Sequence, residues 1–378
     1  MNKTNKQASL GRPVIRIAKR QNISTVKSVA IRLAAIALAL IINALLIYSI
    51  TKMNPLNVYV SMFRGVFGEF GNQKAFWEER RFWMMVKELV MLLCISVALA
   101  PAFKMRFWNI GAEGQVLAGG LATAACMIYF GNSLPTPALF AVMIVASMAA
   151  GAVWGLIPAI FKAQWGTNET LFTLMMNYIA LQLTSYFVAL WENPFGSNKV
   201  GIINQTTKKG WLPDMFGNQY FWNVVIVLAL TVAIYLYLKF SKQGYEIAVV
   251  GESENTAKYA GINVKKVIIR TMLISGAICG IAGFVGVSGI DHTISVNTAG
   301  GRGFTAIIIA WLAKFNTLIM VLISLLIVFL DRGAGQIVSD YSKLGINENV
   351  AEIIKGIILF FILGSEFFIN YRLVVRKK

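Results

Sequence analysis

Eight apolar runs recur along this chain, and each is about as long as a helix that crosses a bilayer, roughly 20 residues. Hydrophobic residues make up 57% of the 378 positions and charged residues 14%, against about 25% charged in a soluble domain. Because hydrocarbon offers no hydrogen-bond partner to the backbone, such segments must be helical. The sequence therefore predicts an all-α fold, a polytopic membrane helical bundle. The runs are 29–50, 82–102, 112–130, 138–161, 170–190, 221–240, 267–287 and 350–369.

The net charge is +18, and its distribution indicates how the chain is oriented. Every charged residue before Glu69 is basic, and the chain ends in another basic cluster. Lys and Arg concentrate on the cytoplasmic side of membrane proteins, where anionic lipid reinforces the preference. We therefore expect membrane lipid, and not nucleic acid, as the partner of this charge. The predicted organisation is a basic cytoplasmic tail over 1–28, a transmembrane domain over 29–370 and a basic cytoplasmic tail over 371–378.

The segment 303–330 must contribute either no net crossing or two if both termini lie inside. It is too short for two full spans of about 20 residues each. Lys314, Phe315 and Asn316 interrupt it near its middle. We expect a broken or re-entrant pair of half-helices, which is tolerated inside protein or along a watery cavity, with 331–349 outside. One long tilted span, with the C-terminus outside, is the alternative.

Two longer connections separate the spans. The outer loop 191–220 contains Pro194, Gly196, Pro213 and Gly217, which are typical breakers of regular structure. The segment 241–266 is a polar, mostly helix-permissive island on the basic side of the membrane. A cytoplasmic segment of this size suits the docking of a partner protein.

Polar residues cluster where two of the predicted helices begin. Asn109, Glu113 and Gln115 flank the start of one helix, where a cap and a carboxylate are both favoured. Asn168, Glu169 and Asn177 repeat the pattern in another helix. Ionisable residues at membrane depth are costly, so these six residues are candidates for the lining of a translocation pathway. Two alternatives stay open: Glu113 could serve only its own helix, and Asn177 could bond only a neighbouring helix. His292 is expected to be a solvated loop residue.

Several motifs that would indicate an enzyme are missing. The chain has no GxxxxGK[ST] phosphate-binding loop, no HExxH and no GxSxG. One histidine and three cysteines buried in apolar runs do not supply the usual zinc ligands. We predict no catalytic residues, no metal site and no cofactor bound by this chain.

Four segments together resemble a known family. They are WNIGAEGQ (108–115), NETLFTLMMNYIA (168–180), ENTAKYAGI (254–262) and GRGFTAIIIAWLAK (301–314). The chain, from about Phe82 to its C-terminus, resembles bacterial ABC importer permeases of the branched-chain amino acid/ribose/nucleoside class. It is most similar to the simple-sugar and nucleoside permeases that work with basic-membrane-lipoprotein-type binding proteins.

The resemblance implies a multi-pass permease subunit in the bacterial plasma membrane. Its expected partners are ABC ATPase subunits that carry the ATP and Mg, a second related permease subunit, an extracytoplasmic substrate-binding lipoprotein and a small-molecule solute. Import would proceed by alternating access. The resemblance also places a coupling helix for the ATPase in 241–266, with contact residues Glu254, Asn255, Ala257, Tyr259, Ala260, Gly261 and Ile262.

The solute and the energy source have alternatives. Nucleosides are the expected solute, because amides and aromatic rings suit a solute that carries both a planar base and many hydroxyls, but simple sugars such as ribose or galactose fit the same residues. An ion-coupled secondary transporter is the alternative from a different class. It would normally place an acidic residue deep in a span, whereas Glu113 and Glu169 lie near helix starts.

Overall fold

The computed structural model describes residues 15–20, 24–52, 54–68, 80–344 and 346–375. These ranges are almost entirely helical. The α-helices are α1 Thr25–Thr51, α2 Pro55–Phe67, α3 Arg80–Lys104, α4 Ala112–Phe130, α5 Thr136–Trp165, α6 Glu169–Leu190, α7 Phe221–Phe240, α8 Lys242–Glu252, α9 Glu254–Tyr259, α10 Val264–Phe284, α11 Arg302–Leu312, α12 Thr317–Tyr341 and α13 Glu348–Asn370. A π-helical turn Val285–Asp291, a 3-10 turn Ser342–Leu344 and two short strands, β1 Ile15–Lys19 and β2 Tyr371–Val375, complete the described elements.

The predicted membrane helical bundle is confirmed. Seven of the eight apolar runs lie in one α-helix each, and the run 267–287 continues from α10 into a π-helical turn. Helices α4 and α7 have the bounds that the sequence predicted. Seven helices in the described ranges are long and apolar enough to cross a membrane. They are α1, α3, α5, α6, α7, α12 and α10 together with the π-helical turn Val285–Asp291 that extends it. The seven do not include α4 and α13.

The smaller of two compact units consists of residues 1–71 and 330–378. In it α1 packs against α13, and an ion pair joins Arg32 to Glu366 at 2.5 Å. Strand β1 pairs antiparallel with β2, so the two predicted tails lie on the same side of this unit. Most of the N-terminal tail lies outside the described residues.

The larger unit, residues 72–329, is built around α10. This helix packs against α5, α4 and α3, and most of its surface is buried. Small residues allow the close approach, because a Cβ atom on Gly280 would meet the backbone of Ser147 on α5. Helices in a membrane gain contact in this way, since lipid removes the hydrophobic drive for association. The result is a tight three-helix core of α4, α5 and α10.

The segment 303–330 differs in part from its prediction. The chain does break between α11 and α12, where Lys314 and Phe315 adopt positive φ. However, α12 is a full-length helix of 25 residues, not a half-helix, and it continues into the predicted outer segment 331–349. Its apolar run contains no proline, so nothing stops it at residue 330. A single tilted span is also wrong, because the break is real.

The short helix α11 runs beside α3. Arg302 at its start pairs with Glu88, and Phe315 after its end stacks on Phe103. The chain is therefore returned to the end of α3 that carries Lys104, from which α12 departs. Which of the two predicted possibilities applies, no net crossing or two, stays a prediction.

Candidate functional site

Three amide side chains form a closed network where α4 begins. The Asn109 side-chain oxygen accepts hydrogen bonds from the Gly111 backbone N–H (3.0 Å) and from the Gln115 side chain (3.3 Å). Its amide nitrogen donates to Gln115 Oε1 (3.3 Å). Asn177 of α6 accepts from the Gly114 N–H (2.9 Å) and donates to the Ile110 carbonyl (2.9 Å).

This network is buried, with Asn109, Gln115 and Asn177 at most 4% exposed. Its hydrogen bonds satisfy the Ile110 carbonyl and the Gly111 and Gly114 N–H groups before α4 has closed its first turn, as a buried helix start requires. The structure thus brings three predicted pathway residues together and gives each a partner inside the chain. Contact of these residues with a solute stays a prediction.

Glu113 links the starts of two helices. It lies in the first turn of α4, and its Oε1 accepts a hydrogen bond from the Gly303 N–H at the start of α11 (2.7 Å). A carboxylate is favoured at both positions because helix N-termini carry partial positive charge. Glu113 therefore serves α11 as well as its own helix, and α11 is the element that precedes the chain break.

An ion pair also holds the start of α11. Arg302 Nη2 lies 2.6 Å from Glu88 Oε2 on α3, and its Nη1 atom donates to the Thr298 carbonyl. The pair is about three-quarters buried. The sequence analysis did not identify it, because 214 positions separate the partners and neither residue stands out alone.

The start of α6 is capped by Asn168, whose side chain accepts from the Thr170 and Leu171 N–H groups. Glu169 forms a 2.8 Å ion pair with Lys162 at the end of α5. Both predicted residues thus stabilise the α5–α6 connection, and neither approaches the Asn109–Gln115 network through a hydrogen bond among the described residues.

The polar island folds as two short helices, α8 and α9. Ser241 caps α8 and Ser253 caps α9, each accepting from a backbone N–H group. Tyr259 is 94% exposed, whereas Ala257 is fully buried. Glu254, Asn255, Ala260 and Gly261 are also exposed, and Ile262 is half-buried. All the predicted docking residues except Ala257 are therefore at least partly exposed. Ala257 packs inward and holds α9 against its own chain.

The polar island 241–266 shares a cavity with the starts of α4 and α6. Residues 250–254 line it together with Arg106, Phe107 and Glu169. Residues 106 and 107 lead into α4, and Glu169 begins α6. A displacement of the polar island would therefore change the surroundings of the starts of α4 and α6 directly.

An aromatic cluster, missed by the sequence analysis, lies at the break after α11. Trp108 and Trp311 pack at 5.3 Å between ring centroids, and Phe103 and Phe315 complete the cluster. Trp108 and Trp311 are each nearly half exposed. The four aromatic positions can be found in the sequence, but their association depends on the way α11 turns beside α3.

His292 is not a solvated loop residue, so that prediction was wrong. Its ring stacks on Trp211 of the outer loop at 3.8 Å and 5°. The Trp211 indole in turn donates to the Ile203 carbonyl (2.8 Å). Burial lowers the pKa of His292 below its ordinary value of 6.5, against smaller opposing effects of the Ser288 backbone, Asp291 and Asp214. The stack ties loop 191–220 to the end of α10.

The described residues contain no group of three or more His, Cys, Asp or Glu side chains that could hold a metal ion. Cys94, Cys126 and Cys279 are buried thiols in helices.

Known proteins are similar in sequence to this chain over most of its length. The chain is 28% identical over 341 residues to the guanosine ABC transporter permease protein NupP of Bacillus subtilis, covering 88% of this chain and 92% of that protein. It is 25% identical over 346 residues to the nucleoside ABC transporter permease protein NupB of Lactococcus lactis, covering 89% and 91%. It is 29% identical over 296 residues to the glucose ABC transporter permease protein TsgB13 of Haloferax volcanii, covering 75% and 76%.

Residues 81–363 match the family described as branched-chain amino acid transport system / permease component. The match begins one residue before the predicted start at Phe82 and includes all four motifs that carried the resemblance. The chain belongs to this family and is a membrane-embedded permease component of an ABC transporter.

Proposed function

We propose that this chain is the permease subunit of an ATP-driven nucleoside importer. Its similarity to NupP and NupB extends over about nine-tenths of each chain, which supports nucleosides as the solute class. The similarity to TsgB13 covers three-quarters of this chain and keeps a simple sugar as the second candidate. The complex would contain ATPase subunits, a second related permease subunit and an extracytoplasmic binding lipoprotein, in the plasma membrane with both termini of this chain cytoplasmic.

The observation that carries the coupling role is the exposure of α9. A short helix with a fully exposed tyrosine beside small residues suits insertion into a groove on a partner. Ala257 packs α9 against its own chain. A force that the partner applies to Tyr259 would therefore move α9 together with the helices that contact it.

The packing of α8 would transmit this movement to the membrane helices. Helix α8 packs against α7, α10 and α3, and residues 250–254 share a cavity with the starts of α4 and α6. Beyond these, the Glu113–Gly303 hydrogen bond connects α4 to α11. ATP binding on the partner would thus shift α8 and α9, tilt α4 and α6, and move α11 with them. Such rocking of packed helices about a central path is alternating access.

The chain itself would perform no covalent chemistry. The phosphate-binding loop that cradles ATP is missing from its sequence, so ATP and Mg would bind the partner subunits. The six predicted pathway residues would hold the starts of α4, α6 and α11 in position beside the path of the solute. They are Asn109, Glu113, Gln115, Asn168, Glu169 and Asn177.

The test uses the complete complex reconstituted in vesicles with its ATPase, second permease and binding protein. We expect Tyr259→Glu with Ala260→Glu to abolish nucleoside-stimulated ATP hydrolysis, because two charges would enter an apolar groove. The control Tyr259→Phe keeps the ring and should retain stimulation. Equal stimulation in the double variant and the control, with normal assembly, would refute the coupling role. Stimulation by glucose and not by guanosine would refute the solute.

A further inference from the structure

The exposed side of α6 carries a row of polar and aromatic residues beside exposed aliphatic side chains such as Met175, Ile179 and Leu183. Tyr178 is 58% exposed and Tyr186 is 63% exposed, and Gln182 and Ser185 are exposed as well. Their spacing of four, seven and eight residues from Tyr178 puts all four on one face of the helix. We call Tyr178, Gln182, Ser185 and Tyr186 the α6 stripe.

Helix α7 provides the comparison. Phe240, its last residue, is 69% exposed, and its other exposed large hydrophobic side chains are the four residues Val225, Leu228, Val232 and Leu236, at 39–48% exposure. They also follow helical spacing, but all four are aliphatic. This is the composition that a surface in contact with lipid tails requires. Two candidate spans of similar length in the same unit thus differ, because the exposed side of α6 includes an amide near its middle and two tyrosines, which the exposed side of α7 does not.

Gln182 makes lipid an unsuitable neighbour for the α6 stripe. It lies near the middle of the 22-residue helix, and its side-chain amide makes no hydrogen bond with any described residue. An amide that is unpaired in hydrocarbon is strongly unfavourable. Ser185 donates to the Leu181 carbonyl, so only Gln182 and the two tyrosine hydroxyls need outside partners. These groups therefore face water or a polar ligand.

The side chains of the stripe argue against a tight helix–helix contact. Where helices of this chain pack closely, as α4, α5 and α10 do, glycines such as Gly119, Gly151 and Gly280 lie at the contact. The α6 stripe has two tyrosines and a glutamine in the corresponding row. Its opposite face is already occupied, because Thr173 and Asn177 bond to residues 108–114. The stripe therefore projects outward from this unit.

We infer that the α6 stripe forms one wall of the solute pathway and contacts the nucleoside directly. Tyr178 and Tyr186 are separated by about 12 Å along the axis, given a rise of about 1.5 Å per residue. Either ring can stack on a planar base, and Gln182 between them can both donate to and accept from the base edge or the ribose. This assignment rests on the proposed function for its solute, whereas the aqueous position of the stripe does not.

Thiol labelling tests the position independently of the solute. The three native cysteines are at most 6% exposed, so they give a low background. Gln182→Cys would be compared with Val232→Cys, a matched site in the middle of α7, in the reconstituted complex. The probe is a charged, membrane-impermeant methanethiosulfonate. We expect Gln182→Cys to react at least tenfold faster, and its modification to block uptake.

Two results would overturn the assignment. Equal, slow reaction at both sites would put the stripe in lipid. Reaction at Gln182→Cys only after the permeases are separated in detergent would make the stripe a permease contact. If the complex imports a sugar and no nucleoside, the proposed solute fails, while the labelling of Gln182→Cys still decides whether the stripe lines the path.

A second pair of variants tests contact with the solute. We expect Tyr178→Ala with Tyr186→Ala to lower guanosine uptake at least tenfold, with unchanged ATPase assembly. The control Val225→Ala with Val232→Ala should stay within twofold of the unaltered complex. Equal uptake by the two double variants would refute a stacking role for the tyrosines.

Discussion

Helix α6 has two polar faces, and they behave in opposite ways. On the buried face, Thr173 and Asn177 are surrounded by protein and hydrogen-bonded to residues that precede or begin α4. On the exposed face, Gln182 has no hydrogen-bond partner among the described residues, and Tyr178 projects outward. The residue types overlap, since each face carries an amide and a hydroxyl. Their burial and their hydrogen bonds separate the two faces.

The comparison shows that polarity in a membrane helix is not in itself a sign of a pathway. A buried amide whose donors and acceptor are all used stabilises the fold, and removing it leaves its partners unpaired. An exposed amide with no partner contributes little to stability and is available to a ligand. The two faces should therefore respond to mutation in different assays.

The largest loss of stability is expected for Asn109→Leu. It leaves the Gly111 N–H and both ends of the Gln115 amide unpaired in a buried site. At about 1–3 kcal/mol for each unsatisfied group, the total is about 3 kcal/mol or more. The thermal unfolding midpoint of the purified chain in detergent measures it. An unchanged midpoint would show that the buried network is not structural.

Glu113 should show an intermediate effect that depends on the substituent. Glu113→Leu removes the acceptor of the Gly303 N–H and should cost about 1.5–3 kcal/mol, as expected for a hydrogen bond to a charged group. Glu113→Gln keeps an acceptor and should lose less. Thermal unfolding of the two variants, side by side, gives the difference. If both lost the same stability, the charge and not the hydrogen bond would be what holds α11.

The pair Asn177→Ala and Gln182→Ala tests the contrast on one helix. Asn177→Ala leaves the Gly114 N–H and the Ile110 carbonyl unpaired, so about 1–3 kcal/mol of stability should be lost. Gln182→Ala should change stability by less than about 0.5 kcal/mol, as for other surface positions, but it should reduce uptake. Unfolding midpoints and uptake rates would be measured on the same preparations. Equal losses of unfolding midpoint and of uptake rate in the two variants would contradict the distinction between the two faces.

His292 adds a half-buried polar group to the comparison. Its substitution should have the smallest effect on stability. Its pKa is below 6.5 in the folded chain, so between the two values the unfolded chain binds more protons. The contribution to stability is therefore fully present above about pH 6.5 and is lost as the pH falls through the folded pKa. Midpoints at pH 8 and pH 5.5 should differ less for His292→Phe, which stacks on Trp211 without titrating. A difference as large as in the unaltered chain would exclude His292 as the cause.

The positions of the spans could be predicted because run length alone sets them, as the identical predicted and observed bounds of α7 show. The end of α12 could not, because Asp331, Arg332 and Gly333 look like the start of a loop and yet continue the helix. In the docking segment, composition indicated the face, but the inward turn of Ala257 depends on how α9 packs.

The candidate site was predicted by residue type and not by connection. Asn109, Gln115 and Asn177 were recognised as unusual, but the bond between Asn177 and Gly114 joins positions 63 residues apart. The Glu88–Arg302 pair and the α6 stripe were missed for the same reason. Whether a polar residue is paired depends on the tertiary fold, which spacing along one helix does not reveal.

The central claim is ATP-driven nucleoside import through this permease. The most direct measurement is uptake of labelled guanosine into vesicles that contain the complete complex, with ATP supplied to the ATPase side. We predict uptake that requires ATP and the binding protein, and that persists when ion gradients are collapsed. Uptake that continues without the ATPase and follows a proton or sodium gradient would contradict the account and favour an ion-coupled transporter.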